Sequence, residues 1–119
     1  MDNSFSLPQR TRKQLTRKKY RNRLPAEQFY YIKQYFNNCC AYCGKTNVKL
    51  TQEHFVPVSK GGKTSVKNII PVCKECNASR GHKKFFKWYP WQEFYTKERE
   101  QIIFEYPYKI KNYIKRMEK

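Results

Sequence analysis

Cys40-Ala41-Tyr42-Cys43 and Cys73-Lys74-Glu75-Cys76 form two Cys-x-x-Cys pairs with 29 residues between the inner cysteines. Two thiolates separated by two residues turn inward onto one ion, and a second such pair completes the tetrahedral four-sulfur shell that Zn²⁺ accepts. The alternatives for the same residues are two disulfides or free buried thiols. The spacing is longer than in a compact zinc ribbon, so the staple encloses an insert. Cys39 is left over and competes with Cys40 only through a less regular Cys-x-x-x-Cys spacing. A closed four-sulfur site offers no position to a substrate, so its role is folding.

A staple suits a chain of this size. At 119 residues there is room for one small domain, which buries only about 60 to 70% of its unfolded surface. Lys and Arg number 26 against nine acids, a net charge of +17, while two Trp, ten Tyr and eight Phe separate the chain from a disordered polybasic tail. Such an excess points to a polyanionic partner, of which nucleic acid is the commonest. The N-terminus turns basic without an apolar run, so neither a secretory signal nor a membrane partner is expected, and the predicted compartment is reducing and cytoplasmic.

Along the chain, residues 1–24 read as a basic nucleic-acid-binding arm carrying Arg10, Arg12, Lys13, Arg17, Lys18 and Lys19. Residues 25–84 read as the core and residues 85–119 as an aromatic-rich helical extension packed on it. Pro25 suits the first turn of a helix whose Phe29, Ile32 and Phe36 share one face. Val48–Leu50 and Asn68–Val72 read as two short strands around a Gly61-Gly62 turn region. Thr96 is placed to cap a helix that Pro107 ends or kinks, with a last helix beyond it presenting Ile110, Tyr113, Ile114 and Met117. The run from Phe85 to Tyr95 reads mainly as core, with base stacking as the alternative.

The insert holds Glu53, His54 and Asn68, and Asn77 follows the last cysteine. An acid, an imidazole and two carboxamides are a set suited to hard-metal hydrolysis, with oxygen donors for the ion and a neutral His to take a proton from water. Singly, a Glu-His pair reads as surface and an Asn after Cys as a helix cap.

Together, Cys-Ala-Tyr-Cys-Gly, Leu-Thr-x-Glu-His-x-x-Pro-x-Ser-x-Gly-Gly and Asn-x-x-Pro-x-Cys-x-x-Cys-Asn-x-Ser-Arg-Gly resemble the HNH endonuclease family, the ββα-metal or His-Me finger nucleases, over about Leu24 to Lys84. The resemblance implies an α+β fold: a short antiparallel hairpin presenting Glu53 and His54, packed on a helix carrying Asn77, stapled by zinc on Cys40, Cys43, Cys73 and Cys76 and flanked by helices. It implies His54 as general base, Glu53 and Asn77 as ligands of a catalytic Mg²⁺ or Mn²⁺, and Asn68 as the brace that orients the imidazole. Glu53 stands where the family usually has Asp, one methylene shorter. Lys60, Lys63, Lys67, Arg80, Lys83 and Lys84 surround the motif and would meet phosphates. His82, five residues beyond Asn77, would face away from a metal held there if the helix continued. The implied activity is metal-dependent cleavage of DNA, duplex foremost. The competing readings are a non-catalytic zinc-stapled nucleic-acid-binding module and an accessory protein docking on phage DNA-packaging or other DNA-processing proteins.

Overall fold

The apolar run Ile69-Ile70-Pro71-Val72-Cys73 forms strand β2 (Ile69–Cys73), buried at all five positions. Burial on both faces requires cover on both sides, which makes a two-stranded sheet the middle layer of the fold. The computed structural model describes residues 22–118. The six basic residues named for the N-terminal arm, Arg10 to Lys19, lie outside the described residues.

Strand β1 (Leu50–His54) pairs antiparallel with β2 in a register running from Leu50 opposite Cys73 to His54 opposite Ile69. The expected first strand, Val48–Leu50, is therefore displaced toward the C-terminus and contains Glu53 and His54 themselves. Polar residues fill this strand because each has a partner. Gln52 pairs through its carboxamide with both backbone groups of Leu24, at 2.8 and 3.0 Å, and Thr51 Oγ1 donates to the Val72 carbonyl at 3.1 Å. Pro71 gives up a strand donor, while its carbonyl accepts from Ala41 N at 2.8 Å and so ties the first cysteine pair to the sheet.

Helix α1 (Ala26–Tyr35) starts after Pro25 and buries Phe29 and Ile32, with Phe36 beyond its end also buried. Helix α2 (Lys74–Arg80) leaves directly from β2, and the single-turn helix α3 (Phe85–Trp88) follows. Helix α4 (Lys97–Met117) has 21 residues, and the Thr96 hydroxyl caps it by accepting from Arg99 N at 3.1 Å. Pro107 neither ends nor divides it, so the two expected helices are one. The proline removes one ladder bond, but Ile103, Tyr106 and Ile110 form a buried stripe on both sides of it. The Tyr106 hydroxyl also donates to Ile69 O at 2.7 Å, pinning this turn to β2. One cluster of buried side chains runs from Phe29 to Ile110, taking in Phe85, Trp88 and Tyr89, so much of the aromatic run is core, while Phe86 and Trp91 remain exposed. Among the described residues, no helix is long and apolar enough to cross a membrane.

Candidate active site

The sulfurs of Cys40, Cys43, Cys73 and Cys76 all lie within 4.8 Å of one another, and Cys43 and Cys73 are 3.8 Å apart. A disulfide needs about 2.05 Å, whereas the edge of a tetrahedron with metal–sulfur bonds of about 2.3 Å is about 3.8 Å. All five cysteines are free thiols, and Cys39 stays out of the cluster with Sγ against Asn37 O at 3.3 Å. Crowding splits the acidities. A thiol hydrogen bond from Cys76 pulls Cys40 down to about 4, the same contact pushes Cys76 far up, and burial raises Cys73. A divalent cation resolves that conflict by replacing the protons, so the four cysteines fit a metal ion such as zinc. Arg99, from the first turn of α4, secures the first pair by donating to Tyr42 O at 3.2 Å and Cys43 O at 2.9 Å.

Glu53 and Arg80 meet between β1 and α2. Thr51 and Glu53, two apart on the strand, face Asn77 and Arg80, three apart on the helix, which is the match that strand and helix periodicities allow. Glu53 is 7% exposed and Arg80 1%. Arg80 Nη1 donates to Glu53 Oε2 at 3.0 Å and to Tyr42 Oη at 2.7 Å, Nη2 to Phe55 O at 2.7 Å, and Nε to Lys83 O at 2.9 Å. Tyr42 also donates to Glu53 Oε2. Burial pushes the Glu53 carboxyl upward, while Tyr42 and Arg80 pull it back. Arg80 is thus not a phosphate contact: its guanidinium is sealed inside, where it joins the first cysteine pair, β1 and the residue after His54.

His54 closes β1 half-buried, with Nε2 2.9 Å from Thr64 Oγ1. Burial lowers its pKa, favouring the neutral ring. When Nε2–H donates to Thr64, Nδ1 keeps the lone pair. Nothing in the spacing singled out Thr64. The loop carrying it, residues 55–68, is clasped by Asn68, whose Oδ1 accepts from Val56 N at 2.8 Å and whose Nδ2 donates to Val56 O at 3.1 Å and Lys63 O at 2.9 Å. Gly62 lies so close beneath Val56 that a Cβ there would sit 1.6 Å from the Val56 carbonyl oxygen.

Asn77 is exposed on α2, with Nδ2 3.5 Å from Thr51 Oγ1. Both partners of Glu53 converge on Oε2, so among the described residues Glu53 Oε1 and Asn77 Oδ1 carry no hydrogen bond. One carboxylate and one carboxamide oxygen on the same strand–helix face are a donor set that a hard divalent cation accepts. Lys60, Lys63, Lys67, Lys83 and Lys84, which flank these residues in sequence, are all exposed. His82 departs from the helical expectation because α2 ends at Arg80 and Gly81 turns the chain at φ +55°; its Nδ1 lies 3.2 Å from Ser59 Oγ.

Residues 40–84, which contain both cysteine pairs, Glu53, His54, Asn68 and Asn77, match a family described as HNH endonuclease. The likeness to HNH endonucleases lies in this segment. The chain is also 35% identical over 72 residues to the SPbeta prophage-derived protein YoqL of Bacillus subtilis, which carries the same family name, covering 52% of this chain and 31% of YoqL. It is 40% identical over 55 residues to the CRISPR-associated endonuclease Cas9 of Corynebacterium diphtheriae, covering 43% of this chain and 5% of Cas9. The chain thus spans about a third of one relative and a twentieth of the other. The family match and the cluster of candidate site residues fall on the same segment, residues 40–84.

Proposed function

We propose that this protein is an HNH-type, divalent-metal-dependent DNA endonuclease that cuts one strand per active site. The observation that carries this reading is a half-buried His54, its pKa lowered and one ring nitrogen taken by Thr64, on the strand that packs Glu53 against the helix bearing Asn77. In this reading His54 takes a proton from water as the water oxygen attacks phosphorus. The bond from phosphorus to the 3′-oxygen breaks, leaving a 5′-phosphate and, after protonation by solvent, a 3′-hydroxyl. A divalent ion such as Mg²⁺ or Mn²⁺, held through Glu53 and Asn77, supplies when bound the positive charge that stabilises the crowded phosphate. Asn68 keeps the loop beside His54 closed, and the exposed lysines bind phosphates irrespective of sequence. Zinc on the four cysteines holds the frame together.

Incubation of supercoiled plasmid with the zinc-loaded chain and Mg²⁺ or Mn²⁺ tests the reading. Open circles that DNA ligase reseals are expected, because ligase requires the proposed end groups. Intact plasmid with both metals, from protein that still binds DNA, would instead identify a non-catalytic binding module.

A further inference from the structure

Helix α4 carries a second surface on the side away from its buried stripe. At 100° per residue, Lys97, Gln101, Phe104, Tyr108, Lys111 and Lys115 fall within an arc of about 80° and extend over about 27 Å. All six are exposed. Tyr108 is 86% exposed, and Phe86, at the start of the same surface, is 66% exposed. Phe86 joins it by packing on Phe104 with ring centroids 5.8 Å apart, and Lys83, Lys84 and Lys87 flank it in sequence. The acids of this helix are otherwise engaged or turned aside: Glu100 accepts from Tyr95 at 2.8 Å, Glu105 pairs with Lys109 at 2.9 Å, and Glu98 falls about 100° from Lys97.

The surface leads to the HNH segment. The ring of Phe86 is 5.5 Å from Phe85, and Phe85 is 4.9 Å from Phe55, the residue after His54. Open aromatic faces interleaved with lysines suit an occupant that is both anionic and flat-faced. A second copy of this chain would bring lysines against lysines. A duplex would offer its phosphates, but its base faces are covered by their neighbours.

We propose that the exposed face of α4, continued by Phe86, is a binding track for single-stranded DNA: unpaired bases stack on Phe86 and Tyr108 while their phosphates meet the neighbouring lysines. This rests on the reading of DNA as the substrate and makes that substrate more specific, a site where a strand is unpaired beside the cut.

The test is fluorescence anisotropy of a labelled oligothymidine strand and of a labelled duplex, each titrated with the full chain carrying His54→Ala so that neither probe is cut. Adding Phe86→Ala and Tyr108→Ala is expected to weaken single-strand binding about tenfold or more, and duplex binding less than about twofold. Phe86→Tyr with Tyr108→Phe, which keeps both ring faces, is expected to retain the single-strand affinity. Unchanged single-strand binding after the two truncations would overturn the track, as would equal weakening of both probes or a change in sedimentation showing that the rings join copies of the chain. If the wild-type chain nicks plasmid but the truncations leave single-strand binding unaltered, the track alone fails. If it binds as described but never cuts, the nuclease reading alone fails.

Discussion

A carboxylate and a guanidinium sealed from solvent depend on each other, because a buried charge that loses its partner keeps its desolvation cost. Glu53→Gln is therefore expected to destabilise the fold by about 3 to 5 kcal/mol in urea denaturation, as it strands Arg80 at the centre of four hydrogen bonds. Combining it with Arg80→Gln is expected to recover part of the stability and none of the nicking; full recovery of nicking would show that Glu53 serves structure alone. His54 is governed by a different balance. Burial lowers its pKa from the usual 6.5, so the neutral base persists to lower pH. The nicking rate should rise with pH to a plateau, with its half-maximum below 6.5; a half-maximum above neutrality would mean that another group is titrating. The sequence singles out Glu53, His54, Asn68 and Asn77 by spacings that resemble a known family, and the fold sets the first two on β1, Asn68 at the end of the adjoining loop and Asn77 on α2. The roles of Arg80, Tyr42 and Thr64 were not legible there, because an arginine near basic neighbours reads as surface until the fold turns it inward.

At the scale of elements, the loop from Phe55 to Asn68 has the least tolerance for change. Gly62→Ala would drive a methyl group into the Val56 carbonyl, so the loop must open. We expect a loss of about 1 to 3 kcal/mol and faster hydrogen exchange confined to residues 55–68, with nicking reduced. Unaltered exchange there would show that the loop does not need the close approach. Sequence pattern located α1 and the start of α4 correctly, since Pro25 opens the first, a capping Thr96 opens the second, and both carry regular apolar stripes. It misplaced β1 and divided α4 at Pro107 for one shared reason. Each element is held by tertiary contacts that leave no trace in local pattern: the polar partners of Gln52, Thr51 and Glu53 in one case, and the packing of Tyr106 on β2 in the other.

For the whole molecule, the cysteine cluster and the core are interdependent. The first pair hangs from β2 through Ala41 and is gripped by Arg99 of α4, while the second opens α2. Cys43→Ala should therefore lose the metal and unfold the chain, including α4, read as zinc content and thermal melting; one zinc retained with unchanged melting would contradict the staple. The excess of +17 acts over the same scale. Engagement of the five exposed lysines that flank the site residues in sequence predicts that log affinity for duplex falls with log salt concentration at a slope of about −4 to −5. Presenting one imidazole to a phosphodiester is the role proposed for this frame. It is tested most directly by the nicking rate of His54→Ala beside wild type, at matched zinc content and matched melting temperature. A loss of about 100-fold or more is expected; a variant that is equally folded, equally loaded and equally fast would show that His54 is not the base.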